Sequence, residues 1–524
     1  MKDEIISGHN IHQSKNYDKD YYLFLKKIVE LNTEQINYYA SKRLKKKFGN
    51  KYYNTFKQFF CSNINSKNFN TEYFISISRG KKIIYPLPLI ITNLFQVGNI
   101  EFNKSFSSIY FFFKCLKNLI KSVVKIILIF FEKDNFPVRE QNSIFFADLK
   151  IYFFPVNKKD NDFSCIGWFL KNEIKKTDIS FILHSEKRFN DNSIYKDKKF
   201  LYRKNLIPPI NNFFSRLLFL KQSCTELFFC FFNLLVGKWI DCLFIEHVID
   251  FVKLNNIEQK KLPSKYYFSS SYELVRPLWT YFLKNSKCVY FNYAASIPGF
   301  FYNERRDYDF YNRLLYWDEE LHWSKYFVSY LSKIKKNKKN IRLVNYIYGQ
   351  DSNKKINLNF NENRKKISVF DITPPFEKNS VTNNITNLNY HSAQNIIKFL
   401  DDICFYAKEM NYDILWKQRW DTTNYTYHKN KKIHDKTYIE YSKNLVLREN
   451  VYKFHSYIPP LKLINICDLC ISLPFTSTSL IADKFKKKSI FYDPMSILSS
   501  SDIALQGVRL ISGPEQLKLY LKNL

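Results

Sequence analysis

Glycine is scarce in this chain of 524 residues, which has only 10 glycines, and the glycine-rich phosphate loops are missing with them. No Gly-x-Gly-x-x-Gly or Gly-x4-Gly-Lys-Ser/Thr pattern occurs, which disfavours a dinucleotide fingerprint and a P-loop. The sequence also lacks a nucleophile elbow, a His-Glu-x-x-His motif and paired metal ligands. With these motifs absent, a ligand site is expected where strands end and helices begin.

The ten cysteines do not form the framework of a disulfide-rich protein. Many lie inside apolar runs, as Cys230 does between Phe228 and Phe232, which indicates buried thiols in a reducing compartment. Cys467-x-x-Cys470 is the one close pair at that spacing. It falls on a predicted strand without a second pair or a nearby histidine, which disfavours zinc and thioredoxin-like chemistry.

Long apolar runs are also missing. Residues 1–15 are polar and lack the apolar core of a signal peptide, so none is expected there. No run reaches the roughly 18 apolar residues of a membrane span, and the nearest approaches are Val123–Phe131 and Leu227–Val236. We therefore expect a cytoplasmic protein and leave open a contact with a membrane surface.

Basic residues exceed acidic ones so far that the formal net charge is +33 at pH 7. Nucleic acid, an anionic membrane face or a phosphorylated substrate would each suit such a charge. Lys, Asn, Ile, Phe and Tyr are abundant while Gly is rare, which is the bias of an AT-rich genome, and we assign most of the excess lysine to it. The charge permits these partners without selecting one.

A chain of this length is too long for one hydrophobic core and is expected to form two or three domains. We predict an N-terminal helical, basic extension over 1–75, a Rossmann-like domain over 76–350 and a second one over 351–524. The boundary falls in the stretch 351–366, which lacks apolar periodicity. Beyond it strands alternate with helices, which is typical of a parallel sheet covered on both faces.

Four hydroxyl residues stand where a predicted strand gives way to a helix. Leu469–Ser472 is a short apolar run expected of a buried parallel strand, Pro474 ends it, and apolar residues from Leu480 onward recur at helical spacing. The hydroxyl residues at the helix start are Thr476, Ser477, Thr478 and Ser479. Such a helix start binds anions well, and a phosphate is the expected ligand. One hydroxyl could merely cap the helix, but four exceed what a cap requires.

Two more strand ends in the C-terminal half carry polar groups. Asp371 and Thr373 follow one predicted strand, and Lys417 and Arg419 follow another. In a doubly wound sheet these residues and the hydroxyl run would lie at one edge. Two cations and a hydroxyl-rich helix start can hold a diphosphate or nucleotide phosphate. Lys417 and Arg419 could instead be ordinary surface charges with no role in binding. Because both follow an apolar strand, we weigh the phosphate-binding and the surface-charge interpretations equally.

Candidates for a catalytic base come from the other half of the chain. Glu273 and Arg276 follow the predicted strand 266–270 and are placed near its end. The stretch Trp317–Glu320 sets acidic residues between aromatic ones, and a surface turn is the favoured interpretation of it. Glu273 and Asp318 are the residues that we nominate as the base.

The motif Pro474-Phe475-Thr476-Ser477, preceded by Asp468-Leu-Cys-Ile-Ser472, resembles the signature of the bacterial polysaccharide-biosynthesis PFTS-motif proteins. Val369–Pro374 and Ile414–Arg419 support the resemblance, which covers roughly residues 270–524 and leaves the first quarter unmatched. The C-terminal half of that family resembles the nucleotide-binding half of GT-B glycosyltransferases.

The resemblance implies an α/β, GT-B-like fold in which two Rossmann-like domains face a cleft. It implies a glycosyltransferase that moves a sugar from a nucleotide-activated donor to a growing surface polysaccharide, such as a capsule or O-antigen. No cofactor is implied, because the nucleotide sugar is itself the substrate. Since no convincing Asp-x-Asp triplet occurs, we predict that donor binding requires no metal.

By analogy with sialyltransferase-like GT-B enzymes, Ser477 and Thr478 would hold the donor phosphate. A His-Pro pair that often follows the corresponding strand in those enzymes is absent, and Lys417 and Arg419 stand there, which leaves the donor's identity open. The full set of donor-binding candidates is Pro474, Phe475, Thr476, Ser477, Thr478, Ser479, Lys417, Arg419, Asp371 and Thr373.

Two alternatives stay open. An enzyme of the same fold could transfer a polyol phosphate, because the hydroxyl cluster would serve both reactions. A non-catalytic basic protein could instead bind nucleic acid or an anionic membrane, although no nucleic-acid motif supports this and we expect no nucleic-acid partner. For the enzyme we expect a lipid-linked or growing glycan as acceptor and a cytoplasmic location. Peripheral contact with the anionic inner membrane is an open point.

Overall fold

The computed structural model describes most of the chain between residues 26 and 524. The described residues are 26–64, 69, 72, 81–94, 101–133, 143–147, 149, 154, 165–174, 179–187, 194–195, 198–269, 276–292, 294–297, 310–335, 339–347, 363–374, 390–419, 435–456 and 458–524. Glu273, nominated as a base, lies outside them. So does most of the predicted boundary stretch 351–366, and the domain limits therefore remain predictions.

Helices make up the first part of the chain and then alternate with strands. In chain order they are α1 (Thr33–Tyr38), α2 (Lys42–Phe48), α3 (Lys51–Ile64), α4 (Leu89–Leu94), α5 (Lys104–Phe130), α6 (Cys165–Asn172), α7 (Phe213–Leu235), α8 (Ile240–Leu243), α9 (Ile245–Asn255), α10 (Phe310–Arg313), α11 (Lys325–Ile334), α12 (Ala393–Glu409), α13 (Lys436–Leu445), α14 (Pro460–Ile466), α15 (Ser477–Lys484) and α16 (Gly513–Lys522). Short 3-10 helices lie at Gln259–Lys261, Leu278–Phe282 and Ile503–Leu505.

The N-terminal helices α1 to α3 pack against the helical layer of the first sheet. Ser41 caps α2, and Asn32 forms a capping box at α1, so the two helix starts are specified locally. Trp239 joins the layers, because its ring contacts Phe56 of α3 and Phe111 of α5. The predicted helical extension thus shares a hydrophobic core with the helices that follow it.

The first sheet is almost wholly parallel. Its strands are β1 (Ser143–Ala147), β2 (Phe181–His184), β3 (Ile194–Tyr195), β4 (Lys198–Tyr202), β5 (Lys265–Phe268), β6 (Lys287–Phe291), β7 (Glu319–His322) and β8 (Ile341–Leu343). They lie in the order β3-β4-β2-β1-β5-β6-β7-β8, and only the short β3 is antiparallel to its neighbour. Apart from β3, strands are added first to one side of β1 and then to the other, as in a doubly wound sheet.

The second sheet has six parallel strands: β9 (Lys366–Phe370), β10 (Asp413–Lys417), β11 (Val451–Phe454), β12 (Leu469–Ser472), β13 (Ser489–Asp493) and β14 (Arg509–Ser512). Their order is β11-β10-β9-β12-β13-β14, which is the Rossmann order. Every residue of β10 and β12 is buried, because helices cover both faces of the sheet. Helix α12 covers part of one face through Ile396, Leu400 and Ile403, as its apolar periodicity predicts.

The fold class predicted from the sequence is confirmed: the chain is α/β and GT-B-like, with two Rossmann-like sheets and an N-terminal helical extension. One local interpretation was wrong. The stretch Trp317–Glu320, favoured as a surface turn, leads into β7, and Trp317 is buried against Phe268 and Tyr290. The packing of the Trp317 ring on residues of neighbouring strands stabilises an extended conformation, which the acidic residues of this stretch do not predict.

Residues beyond the carboxyl ends of the strands join the two domains. Ser296, beyond β6, donates a hydrogen bond of 3.3 Å to the carbonyl of Phe475, beyond β12. Ser324, beyond β7, donates to Gln506 Oε1 at 2.5 Å, and the Gln506 amide donates to the carbonyl of Ala295. The two sheets therefore present the same edge to each other, and ligand sites of doubly wound sheets lie at that edge.

Candidate functional site

The site is organised by the central strand of the second sheet, β9, where the strand order reverses. Strands β10 and β11 follow β9 on one side, and β12 to β14 lie on the other. Phe370 at the end of β9 pairs with Lys417 of β10 and with Ser472 of β12. The three strands therefore end side by side, at the topological switch point where open α/β sheets bind ligands.

Two hydroxyls of the predicted run, those of Ser479 and Thr476, form hydrogen bonds within the protein. Ser479 is fully buried, lies 2.6 Å from Ser472 through their hydroxyls, and donates to the carbonyl of Ile490 at 2.8 Å. Thr476 turns back toward the strand and donates to Ser472 at 2.9 Å and to the Leu473 carbonyl at 2.8 Å. The hydroxyls of Ser479 and Thr476 hold the start of α15 onto β12 and β13.

Two hydroxyls of the run remain available. The Ser477 hydroxyl has no hydrogen bond to any described residue, and that of Thr478 has only a long contact of 3.4 Å with Thr476. Both residues are half-buried in the first turn of α15. Thr476 occupies the N-cap position, but its side chain accepts no hydrogen bond from the backbone N–H groups of the helix. The first backbone N–H groups of α15 are thus left without the usual capping oxygen, which suits an anion.

Pro474 and Phe475 shape this turn. Both are buried, and Phe475 adopts φ of 63°, a left-handed conformation that is costly for an aromatic residue. Its ring packs near Phe491, and its carbonyl accepts the hydrogen bond from Ser296 of the other domain. The two residues therefore position the helix start, and neither offers a side-chain hydrogen-bonding group to a ligand.

Asp371, which follows β9, is the centre of a buried hydrogen-bonded cluster. Its Oδ2 accepts hydrogen bonds from the Tyr438 hydroxyl and, at 3.1 Å, from Trp416 Nε1. Gln418 donates to the Tyr438 oxygen at 3.1 Å. Burial raises the pKa of Asp371 to about 6, although hydrogen bonds from Tyr438, Trp416 and the Arg419 backbone act to lower it. This carboxylate orders the strand ends around it.

Lys417, the last residue of β10, is a buried cation. Its side chain belongs to a residue only 8% exposed, and no described carboxylate lies within ion-pair distance of its ammonium. Burial lowers the pKa of Lys417 to about 8, while the nearby Asp371 carboxylate acts to raise it. A buried ammonium with no close carboxylate in the described part of the chain is costly, so its retention at the sheet edge that also carries the start of α15 favours an anionic ligand.

The remaining donor-site candidates divide by exposure. Thr373 is buried, three residues beyond β9. Arg419 is exposed, and its backbone N–H, rather than its guanidinium, contacts Asp371. The sequence prediction that Asp371, Thr373, Lys417 and the hydroxyl run share one sheet edge matches the observed register, but their roles in donor binding remain predictions.

The position of Asp318 corrects one expectation. Asp318 immediately precedes β7 and therefore lies at the amino edge of the first sheet, opposite the edge that carries Ser296 and Ser324. Its carboxylate pairs with the buried Arg276 at 2.9 Å and accepts the backbone N–H of Cys288 at 3.1 Å. A carboxylate tied into the far edge of the sheet is badly placed to deprotonate an acceptor in the interdomain space.

Several residues of the site carried no signal in the sequence. Tyr438 and Gln418 complete the Asp371 cluster, and Ser296 and Gln506 make the interdomain contacts. Tyr438 reaches the site from α13, after a stretch of chain with no recognisable pattern. Among the described residues, no group of three or more His, Cys, Asp or Glu side chains is arranged to hold a metal ion.

Two apposed Rossmann-like sheets define a GT-B-like protein. The profile of the polysaccharide biosynthesis PFTS motif protein family matches residues 225–521. That match spans more than half of the chain, and the protein belongs to this family. No curated protein sequence matches it.

Similar solved structures include GT-B-type proteins from bacteria and archaea. Anabaena Alr3699/HepE, in complex with UDP and glucose, shares 11% identity at a TM-score of 0.36, with 72% of this chain and 89% of that one covered. The UDP-GlcNAc 2-epimerase of Methanocaldococcus jannaschii shares 11% identity at a TM-score of 0.37, with 73% of this chain and 91% of that one covered. The glycosyltransferase SnogD of Streptomyces nogalater shares 13% identity at a TM-score of 0.34, with 73% of this chain and 90% of that one covered. Similarity this low carries no weight for function.

Proposed function

We propose that the protein is a glycosyltransferase of polysaccharide biosynthesis, and that it binds a nucleotide-activated sugar at the switch point of the second sheet. The family places the protein in polysaccharide biosynthesis. The single observation that carries the proposal is the buried ammonium of Lys417, which has no carboxylate partner in the described part of the chain and belongs to the sheet edge that also carries the uncapped start of α15.

The proposed chemistry needs stabilisation of the negative charge that develops on the departing nucleotide phosphate. Lys417 would supply a full positive charge in a site of low dielectric constant, where it acts strongly. The first N–H groups of α15 and the hydroxyls of Ser477 and Thr478 would donate hydrogen bonds to the phosphate oxygens. Because these groups already stabilise the phosphate charge, we propose that the nucleotide sugar binds without a metal.

The acceptor hydroxyl must lose a proton during transfer, and this role falls to a base from the first domain. Glu273, which follows β5 in the sequence, remains our candidate. Strand β5 lies at the switch point of the first sheet, next to β1, and the carboxyl edge of this sheet faces the second domain. Asp318 is no longer a candidate because of its position at the opposite edge.

The partners and place of action belong to the same proposal. We propose a lipid-linked or growing surface glycan as acceptor, and the cytoplasmic side of the inner membrane as the place where transfer occurs. Transfer of a polyol phosphate would use the same phosphate contacts. A thermal-shift screen of nucleotide sugars against nucleotide-activated polyol phosphates distinguishes the two, because the donor that binds raises the unfolding temperature.

The decisive experiment measures nucleotide affinity by calorimetry in three variants. Lys417→Met removes the cation and is expected to weaken binding by roughly 10- to 100-fold, the usual value of a hydrogen bond to a charged group. The double variant Ser477→Ala with Thr478→Ala is expected to weaken it roughly tenfold. Glu273→Gln is expected to leave nucleotide affinity unchanged and to reduce turnover.

Matched controls make the result specific. Lys443→Met removes an exposed lysine of α13, and Ser499→Ala with Ser501→Ala removes an exposed hydroxyl pair of the same domain. Both controls should bind nucleotide as the unaltered protein does. Unchanged nucleotide affinity in folded Lys417→Met and Ser477→Ala/Thr478→Ala proteins would remove the proposed site.

A further inference from the structure

Helices α5 and α7 lie side by side and antiparallel on the surface of the first domain. Arg216, in the first turn of α7, donates hydrogen bonds to the carbonyls of Phe130 at 3.2 Å and Glu132 at 2.8 Å, at the end of α5. Further along the pair, the thiols of Cys230 and Cys242 lie 3.2 Å apart, and the raised pKa of Cys230 reflects mainly its hydrogen bond with Cys242 and its burial, with a contribution from Cys115 of α5. Both helices pack on α9, which leaves their opposite sides uncovered.

The uncovered side of this pair is strongly apolar. Most of the large apolar side chains that are exposed in the described part of the chain lie on these two helices or at their ends. On α5 and just after it these are Phe106, Ile109, Tyr110, Phe112, Phe113, Ile120, Val123, Val124, Ile127, Leu128 and Phe131. On α7 and just after it they are Phe213, Phe214, Leu217, Leu218, Phe228, Phe229, Phe231, Phe232, Leu235 and Val236.

We refer to this surface as the apolar helix face. Water-soluble proteins rarely leave so continuous an apolar patch uncovered unless a partner covers it. Amphipathic periodicity is clear in α5, where Phe111, Cys115, Ser122 and Ile126 face inward and the exposed residues occupy the other side. The face is therefore a property of both helices along their length and does not depend on one or two misplaced side chains.

Positive charge lies within and beside the apolar helix face. Lys117 and Lys121 of α5 and Lys221 of α7 are exposed at helical spacing among its apolar residues, and Lys42 and Lys46 are exposed on the neighbouring α2. The Arg43 guanidinium lies 4.4 Å from the centre of the Phe229 ring.

Negative charge is nearly absent from the two helices. Helix α5 contains no acidic residue, and α7 contains only Glu226. The Glu226 carboxylate is neutralised by Arg43 at 2.6 Å and Lys47 at 2.7 Å. An apolar strip with a basic border is the pattern of helices that lie in the interface of an anionic bilayer.

Helix α7 is also the one described helix whose length and composition would allow it to cross a membrane, and 22% of the relevant window is buried. Its two ends, however, are held to the same domain. Near its start Arg216 donates to the Ile210 carbonyl at 2.6 Å, and near its end Asn233 donates to the buried Asp241 at 2.8 Å. A helix attached at both ends to one folded layer lies along a bilayer more readily than across it.

We propose that the apolar helix face docks in the plane of an anionic lipid bilayer, with α5 and α7 parallel to the membrane surface. A second copy of the chain is a poorer occupant, because two basic borders would repel each other in a protein of net charge +33. The proposal does not depend on sugar transfer, so it can fail or succeed independently of the nucleotide site.

Flotation with vesicles tests the proposal. The protein is expected to bind vesicles of phosphatidylglycerol and phosphatidylethanolamine, and to bind pure phosphatidylcholine at least roughly tenfold more weakly. Phe214→Glu with Phe232→Glu should reduce binding at least roughly 100-fold, because two charges would enter the acyl boundary. Lys42→Glu with Lys46→Glu should weaken the preference for anionic lipid, since Lys117 and Lys121 remain.

Phe405→Glu is the matched control, since Phe405 is 65% exposed on α12 of the other domain and should leave vesicle binding unchanged. All variants change exposed side chains, and circular dichroism verifies their fold. Equal vesicle binding by the control and by Phe214→Glu/Phe232→Glu would overturn the proposal. A doubled mass in light scattering that is lost only in Phe214→Glu/Phe232→Glu would also overturn it, in favour of a second copy.

Cys224 provides a second, independent measurement. It is exposed on α7, while the other nine cysteines are buried, so a thiol-reactive spin label reports from this helix alone. Anionic vesicles should lower the accessibility of the label to a water-soluble relaxation agent and raise its accessibility to oxygen. A label that stays equally accessible to the aqueous agent when vesicles are bound would place the contact elsewhere and reject this face.

Discussion

Two buried lysines, one in each sheet domain, differ in what surrounds their charge. Lys335, just after α11 in the first domain, is 7% exposed, and its ammonium lies 2.5 Å from the Glu320 carboxylate. Lys417 of the second domain is 8% exposed, but no described carboxylate lies within ion-pair distance of it. The two lysines are thus equally buried, but only Lys335 forms an ion pair with a described carboxylate.

The difference separates a structural charge from one suited to bind a ligand. Glu320 also lies 3.4 Å from His322, and hydrogen bonds from His322 and Lys335 lower the pKa of Glu320 although burial acts to raise it. The pKa of Lys417 instead falls to about 8, because burial is not offset by a close partner. The two sheets have corresponding strand orders, so topology alone does not decide which domain holds the phosphate.

The largest effect expected from this comparison is on stability. Lys335→Met should lower the free energy of unfolding by about 3–5 kcal/mol, because Glu320 would remain buried with only His322 beside it. Lys417→Met should change it by less than about 1 kcal/mol, since no close carboxylate is left behind. Urea unfolding measures both. A similar loss in the two variants would mean that Lys417 has a structural partner after all.

The hydroxyl run permits the same comparison at smaller scale. Ser479→Ala should destabilise the protein by about 1–3 kcal/mol, because it removes the buried hydrogen bonds of this hydroxyl to the Ile490 carbonyl and to Ser472. Ser477→Ala should change stability by less than about 0.5 kcal/mol, since its hydroxyl makes no hydrogen bond to a described residue. Thermal unfolding without nucleotide separates the two, and equal losses would contradict the division of the run into structural and free hydroxyls.

The smallest predicted effect concerns pH. The proposed phosphate ligand would bind the protonated form of Lys417, whose pKa is lowered to about 8 by burial. Affinity is therefore complete below pH 8 and should fall roughly tenfold for each pH unit above it. Lys417→Arg, which stays charged, should flatten this profile between pH 8 and 10. An unchanged decline in Lys417→Arg would assign the titration to another group.

Periodicity and strand chemistry were sufficient to predict the second domain. The apolar strands at β9, β10 and β12, the amphipathic helix α12 and the hydroxyl-rich start of α15 all follow local rules that the sequence displays directly. Their convergence at one sheet edge follows from parallel topology. The register then places Lys417, Phe370 and Ser472 level with one another, as three adjacent parallel strands require.

Long-range contacts set the limit of sequence-based prediction. Nothing local distinguishes Ser479, which bonds to β13, from Ser477, whose hydroxyl remains free. Asp318 was placed incorrectly because β7 was not recognised, and its partner Arg276 is distant in the chain. Likewise, the apolar run Leu227–Val236 does not show by itself which of its residues are buried, and the structure exposes the outer side of α7 because only one side packs on α5 and α9.

The turn at Phe475 links the proposed phosphate site to the first domain. Its carbonyl accepts a hydrogen bond from the Ser296 hydroxyl of that domain, and Ser477, two residues later, begins the helix that would receive the anion. A ligand that moves this turn would act on the neighbouring domain through that hydrogen bond, beside the contacts of Gln506 with Ser324 and Ala295. We therefore expect nucleotide binding to change the spacing of the two domains, and a distance probe across them to report binding without any turnover.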